Sequence, residues 1–113
     1  MVTFKQKELI QVSSDQKITI KVLDGYDKGK QQSFNQFPIS IGRLPDNEFQ
    51  LNDPYVSRIH CTIYTDGFCF SVSDLNSTNK TYLNENILSS PKVFMDGDKL
   101  IIGRNMMILN IDV

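Results

Sequence analysis

The chain has 113 residues, 40% of them hydrophobic, with 12 Lys plus Arg against 13 Asp plus Glu and a formal net charge of -1. That length fits one domain, long enough to bury roughly two-thirds of its unfolded surface without staples. The near-neutral balance gives no global field to draw in nucleic acid or anionic lipid, so any anion binding must be local.

In chain order, residues 1–16 are the least decipherable. Phe4, Leu9, Ile10 and Val12 could pack along a sheet edge, whereas Lys5 to Glu8 is polar and Ser13-Ser14-Asp15 reads as a turn. This segment is expected to be an N-terminal arm, extended or partly mobile, with a domain over 17–113. From there short alternating or apolar runs follow one another: Lys17 to Leu23, Phe37 to Ile41, Ile59 to Tyr64, Phe68 to Ser73, Leu100 to Ile102 and Met106 to Ile111. Turn residues separate them: Asp24-Gly25, Gly29, Asn35 to Pro38, Pro45-Asp46-Asn47, Asp53-Pro54, Asp66-Gly67, Ser89-Ser90-Pro91, Asp96-Gly97 and Gly103-Arg104-Asn105. No gap suits a long helix. Many short strands with regular turns predict an all-β sandwich or barrel.

The longest unbroken apolar run, Met106-Met107-Ile108-Leu109, is far too short for a membrane span or a signal-peptide core. The chain therefore reads as soluble, without membrane insertion, and cytoplasmic, with the nucleus not excluded. It stops directly after its last strand, so any partner domain is expected outside it. Asp66-Gly67 is a two-residue hairpin signal; with those residues as the turn centre, Tyr64 faces Cys69 and Cys61 faces Val72. Alternation then sends the two cysteines to opposite sheet faces, where they cannot be bridged. Two reduced thiols are expected, in keeping with a reducing compartment.

Chemistry concentrates between residues 42 and 85: Gly42-Arg43, then Ser57-Arg58-Ile59-His60, then Asp74-Leu75-Asn76-Ser77-Thr78-Asn79. Two arginines, two hydroxyls and an asparagine come from turns between short β-type runs, as a phosphate-receiving surface requires. A guanidinium at Arg43 can fork onto two phosphate oxygens and keeps its charge at any working pH. Ser57 sits beside Pro54 and Tyr55, where its hydroxyl and backbone N–H can both face a ligand. Asn76 to Asn79 is also what a turn of local side chain to backbone bonds looks like. His60 and Ser57 invite a catalytic reading. Three apart on a strand they point to opposite faces, so no nucleophile and base pair is expected. One histidine and two divergent cysteines cannot supply a metal site, and no cofactor is expected.

These motifs, in this order and spacing, with Asp96-Gly97-Asp98 and Ile102-Gly103 beyond them, resemble the forkhead-associated (FHA) domain over roughly Ile18 to Val113. The resemblance implies a β-sandwich of about eleven short, mainly antiparallel strands. It implies a non-enzymatic module that binds a phosphothreonine-containing protein or peptide downstream of a Ser/Thr kinase. It implies phosphate contacts from Arg43, Ser57, Arg58 and Thr78 and peptide main-chain contacts from Asn79. Peptide specificity would fall to neighbouring loops, with Tyr55 and Lys80 as candidates, and Gly42 and His60 would support the site. Arg58 could instead pair with Asp53 or Asp74. The family usually has glycine where this chain has Lys80 and Glu85. Either the turns there are rebuilt, or non-glycine residues accept positive φ at about 1 kcal/mol each. The alternative expectation is an FHA-like scaffold that binds an unphosphorylated protein surface.

Overall fold

The computed structural model describes Ile10 and Gln11 and residues 16–112. The remainder of the expected arm lies outside the described residues. Among the described residues there are thirteen strands and no helix, in the order β1 (Ile10–Gln11), β2 (Lys17–Asp24), β3 (Gln31–Phe34), β4 (Gln36–Phe37), β5 (Ile39–Gly42), β6 (Phe49–Gln50), β7 (Cys61–Thr65), β8 (Phe70–Asp74), β9 (Thr81–Leu83), β10 (Asn86–Ile87), β11 (Lys92–Phe94), β12 (Asp98–Ile102) and β13 (Asn105–Asp112).

Two sheets carry the fold. One runs β10-β9-β12-β13-β2-β3 and the other β11-β8-β7-β5-β6, while β1 and β4 form a two-stranded ribbon. All pairings are antiparallel except β5 with β6. Period-two alternation is visible in the burial of each long strand. On β2, Ile18, Ile20 and Val22 face inward, as do Met107 and Leu109 on β13 and Leu100 and Ile102 on β12. The opposing sheet answers with Ile39, Ile41, Cys61, Ile63, Phe70, Val72 and Phe94. Phe70 packs edge-on against Phe37, with ring centroids 5.3 Å apart. At about 25 cal/mol per Å² of apolar surface, this inter-sheet layer is the main stabilising contribution.

Three expectations shift. The strand expected over Phe37 to Ile41 is split into β4 and β5 at Pro38, a residue with no N–H to give a ladder. The β7–β8 register differs by two residues: Cys61 pairs with Asp74 and Ile63 with Val72. The reason is side-chain chemistry in the turn. Asp66 Oδ1 accepts from the N–H groups of Phe68 and Cys69, both at 2.9 Å, and Thr65 Oγ1 accepts from Gly67 N–H at 3.0 Å while donating to Cys69 O at 2.7 Å. The turn centre thereby becomes Gly67-Phe68. A shift of two leaves facing unchanged, and both cysteines are free, Cys61 buried and Cys69 exposed. Burial, then the neighbouring Asp74 charge, pushes the Cys61 thiol pKa up, so it stays protonated.

The third shift is that β7 begins at Cys61 rather than Ile59. Residues 57–60 form a bent segment that still docks on the β5 end: Arg43 N–H donates to Ser57 O at 3.0 Å, Leu44 N–H to Arg58 O at 3.3 Å, and His60 N–H to Ile41 O at 2.8 Å. The bend turns Ile59 outward, 52% exposed, and His60 fully inward. The loops after β5, before β7, after β8 and between β12 and β13 all gather at the same end of the sandwich.

Candidate functional site

Gly42 makes the local geometry possible. A Cβ there would stand 2.3 Å from Arg58 O and 2.9 Å from Asn47 Nδ2, so the close approach of the two backbones excludes any larger residue. Asn47 is nearly buried and locks the same junction, its Nδ2 donating to Leu44 O at 2.8 Å and Arg58 O at 2.9 Å. Arg43 emerges from this clamp exposed. Its Nε donates to Val56 O at 3.0 Å, which fixes the guanidinium plane and leaves both terminal NH₂ groups for an anion. An open cleft of about 530 Å³ results, lined by Arg43, Leu44, Ser57, Arg58, Ile59, Asn76 and Thr78.

The four expected phosphate ligands therefore line one cleft. Ser57 Oγ accepts from Thr78 N–H at 3.0 Å, which orients the oxygen and leaves the hydroxyl proton to be donated outward. Arg58 is exposed beside it. Neither acidic side chain considered as its partner is waiting for it. Asp53 is fully buried and accepts from the N–H groups of Tyr55 at 2.8 Å and Arg104 at 2.5 Å. Asp74 accepts from the Ser77 hydroxyl and from Thr81 Oγ1 at 2.7 Å and Ser77 N–H at 3.0 Å. Burial opposes ionisation of Asp74, but the hydrogen bonds from Ser77 and Thr81 outweigh it and hold the carboxyl pKa below the usual value.

His60 braces the cleft from below. Its Nδ1 accepts from Ser57 N–H at 3.0 Å, and Nε2 lies 2.8 Å from Lys80 O. An acceptor at Nδ1 places the proton on Nε2, which donates to the carbonyl, so the ring is neutral. Burial lowers its pKa, against the opposing influence of the Lys80 carbonyl and of Asp74 and Asp53. The ring meets Ser57 through the backbone N–H, while Ser57 Oγ is turned to Thr78. The two side chains form no nucleophile and base pair.

Asn79 is exposed, and its Nδ2 donates to Tyr55 O at 2.8 Å. The amide oxygen and the second amide hydrogen remain for a ligand. Both departures from the usual glycines are resolved as accepted strain: Lys80 has φ 69 and Glu85 has φ 72, with Asn76 and Asn84 also at positive φ. Asparagine tolerates that region, lysine and glutamate less so. Tyr55 is 45% exposed, and its ring lies under Arg104, whose Cζ is 4.7 Å from the ring centroid.

Sequence reasoning missed Asn47, Asp53 and Arg104, each of which it took as turn punctuation or as an ion-pair partner. Their roles depend on which loops meet in space. The only local signal is the Asp53-Pro54 pair, because an aspartate there can cap the following N–H groups.

Fold and site together define a class: a β-sandwich that presents a cationic, hydroxyl-lined cleft on loops at one end. The family model described as FHA domain matches residues 39–103, more than half of the chain. The chain belongs to the FHA domain family. It is similar to the glycogen accumulation regulator GarA of Mycolicibacterium smegmatis, 36% identical over 80 residues that make up 71% of this chain and 50% of that protein. The FHA domain-containing protein FhaA of Mycobacterium tuberculosis is 33% identical over 97 residues, 86% of this chain and 18% of that protein. The chain spans about half the length of GarA. Among solved structures, one from a structural and functional analysis of phosphothreonine-dependent FHA domain interactions aligns at 33% identity and TM-score 0.75, covering 83% of this chain and 95% of the other. The FhaA FHA domain complexed with the intracellular domain of Rv3910 aligns at 33% identity and TM-score 0.73, covering 82% and 99%.

Proposed function

We propose that this chain is a phosphothreonine-peptide binding module that mediates phosphorylation-dependent protein–protein contacts, reading marks left by a Ser/Thr kinase and catalysing no reaction itself. The observation that carries the reading is the convergence of Arg43, Ser57, Arg58 and Thr78 on one open cleft. A phosphorylated side chain brings a charge of roughly -1.5 to -2 and three strong acceptors. The terminal NH₂ groups of Arg43 take two oxygens in a fork, the Ser57 hydroxyl donates to another, and Arg58 and Thr78 complete the shell. Asn79 holds the peptide main chain, for which an amide that both donates and accepts is suited. Solved FHA domains of similar fold include ones with phosphothreonine-dependent interactions, which supports the same ligand here.

Affinity comes mainly from the phosphate. Burying the extra methyl of threonine gains only ~0.8 kcal/mol by area, about fourfold over serine. Stronger discrimination requires the methyl to fix the phosphate's rotamer as well. The test is Arg43→Ala and Ser57→Ala. Each removes a hydrogen bond to a charged group from an exposed loop, at about 1.5–3 kcal/mol, or tenfold to over a hundredfold in affinity. Wild-type affinity in both folded variants would remove these residues from the site.

A further inference from the structure

We propose that the outer face of the six-stranded sheet is a self-association surface, on which a second copy of this chain packs about a two-fold axis parallel to the strands, between β12 and β13. The first observation is patterning. Cα partners across the sheet align Ile87 on β10, Tyr82 on β9, Ile101 on β12 and Met106 on β13 in one row. Along their strands these residues alternate with the core residues Leu83, Leu88, Leu100, Ile102 and Met107, so the row points away from the core. Ile87 is 51% exposed and the other three are half-buried. The five-stranded sheet shows how this chain builds a face for water: there a cross-strand row on the outer side is Ser40, Thr62 and Ser73. An antiparallel sheet with one solvated face is expected to be polar on that face, and only one of these two sheets is.

Charge selects the occupant. The apolar row ends on β2 at Asp24, the Cα partner of Met106, and the next row holds Lys99, Ile108 and Lys21. At the β9 side the turn residue Asn84 exchanges two hydrogen bonds with Lys99, both at 2.9 Å, which brings the exposed Glu85 to the rim of a recess of about 210 Å³ floored by Ile101 and Met106. The face is therefore acidic at β9 and basic at β2. In the order β10-β9-β12-β13-β2-β3, those two strands stand equally far from the line between β12 and β13. A two-fold axis lying in the contact plane along that line lays β9 of one copy on β2 of the other and β12 on β13. Ile101 then meets Met106 of the second copy, the Tyr82 hydroxyl meets Asp24, and Glu85 meets Lys21, each contact being made twice. A net charge of -1 leaves little repulsion between copies. Six strands ~4.8 Å apart and eight-residue strands rising ~3.3 Å per residue give a face on the order of 600 Å². That is below the roughly 800 Å² per partner of a standard stable interface, so the association is reversible. An axis along the strands also keeps both loop ends free, with the two Arg43 clefts opening on the same side of the dimer.

The experiment is sedimentation equilibrium of the full chain from micromolar to millimolar concentration, with melting temperature as the check on folding in every variant. The wild type should shift from monomer toward dimer mass as concentration rises. Ile101→Lys should weaken association by at least about tenfold, the effect of losing a central apolar anchor. Glu85→Lys and Lys21→Glu sit at the surface; each should weaken it by about three- to thirtyfold, since two exposed ion pairs per dimer become two repulsions. An equimolar mixture of those two charge variants should regain wild-type association, because the mixed dimer carries both opposite-charge pairs. Arg43→Ala should dimerise like the wild type, which separates this surface from self-binding through the phosphate cleft. A wild type that stays monomeric to millimolar concentration overturns the proposal. So does a dimer that Ile101→Lys leaves intact, one that Arg43→Ala dissolves, or a mixture of charge variants that recovers nothing. None of these results touches the phosphate reading, which peptide binding alone decides.

Discussion

Replacing His60 by alanine is expected to destabilise the fold severely, and to reduce binding only as a consequence. The imidazole is fully buried and ties the loop before β7 to the loop after β8, beside the Thr78 to Ser57 and Asn79 to Tyr55 hydrogen bonds, accepting from Ser57 N–H at 3.0 Å and donating to Lys80 O at 2.8 Å. Each orphaned backbone group costs about 1–3 kcal/mol; the lower end applies, because the loops lie at the surface and water can reach them. The vacated ring volume adds about 2 kcal/mol. The sum is about 3–5 kcal/mol, a large share of a typical domain's total stability. At roughly 3–6 °C per kcal/mol for a domain of this size, the midpoint should fall by about 10–30 °C. Thermal unfolding followed by circular dichroism reads the shift directly. An unchanged midpoint in His60→Ala would refute the bracing role, and loss of turnover on an ester substrate with an unchanged midpoint would point to catalysis.

Lys80→Gly should raise stability by a few tenths to about 1 kcal/mol, because relief of the αL penalty at φ 69 exceeds glycine's added unfolded-state entropy; a lower urea midpoint would contradict this. Gly42→Ala should destabilise by at least about 1–3 kcal/mol and also weaken phosphopeptide binding, since the new Cβ would collide with Arg58 O and push apart the loops that carry Arg43 and Ser57; equal affinity and stability would show that the close approach is dispensable. Acidification should act twice. His60 has a lowered folded-state pKa, so between that value and about 6.5 the unfolded chain binds more protons, and the stability present above about pH 6.5 is lost as pH falls through this window. Asp74, also lowered, adds a contribution that is present above about pH 4 and lost below it; urea midpoints measured from pH 8 to 3 test both signs. Phosphate loses about one charge between pH 7 and pH 5, so peptide affinity should fall over the same range.

Much of the fold was legible because alternation is a local property. The Ile18, Ile20, Val22 pattern of β2 and the Met107, Leu109 pattern of β13 appear in the sequence as they are buried in the structure. Register was less legible. Asp66 and Thr65 settle it by binding turn N–H groups, and a two-residue turn rule does not include side chains that compete for those donors. Within the site, Arg43, Ser57, Arg58 and Thr78 could be singled out because the order and spacing of their motifs resemble those of the FHA domain; taken one at a time each reads as an ordinary turn residue. Asn47 and Asp53 look equally like turn residues, and only the meeting of loops distant in sequence reveals that both are buried clamps. Lys80 and Glu85 posed a choice between rebuilt turns and strained ones. The structure keeps the positive φ in both.

Calorimetric titration of one phosphothreonine peptide and its unmodified twin, at pH 7 and moderate salt, tests the central claim most directly. The phosphorylated peptide should bind, the twin should bind at least a hundredfold more weakly, and Arg43→Ala should narrow that gap by about tenfold or more. Screening at ordinary ionic strength should weaken the contact without abolishing it, since few and partly desolvated charges are involved. Equal affinity for the two peptides in the wild type would contradict the account and favour a surface that recognises its partner without phosphorylation.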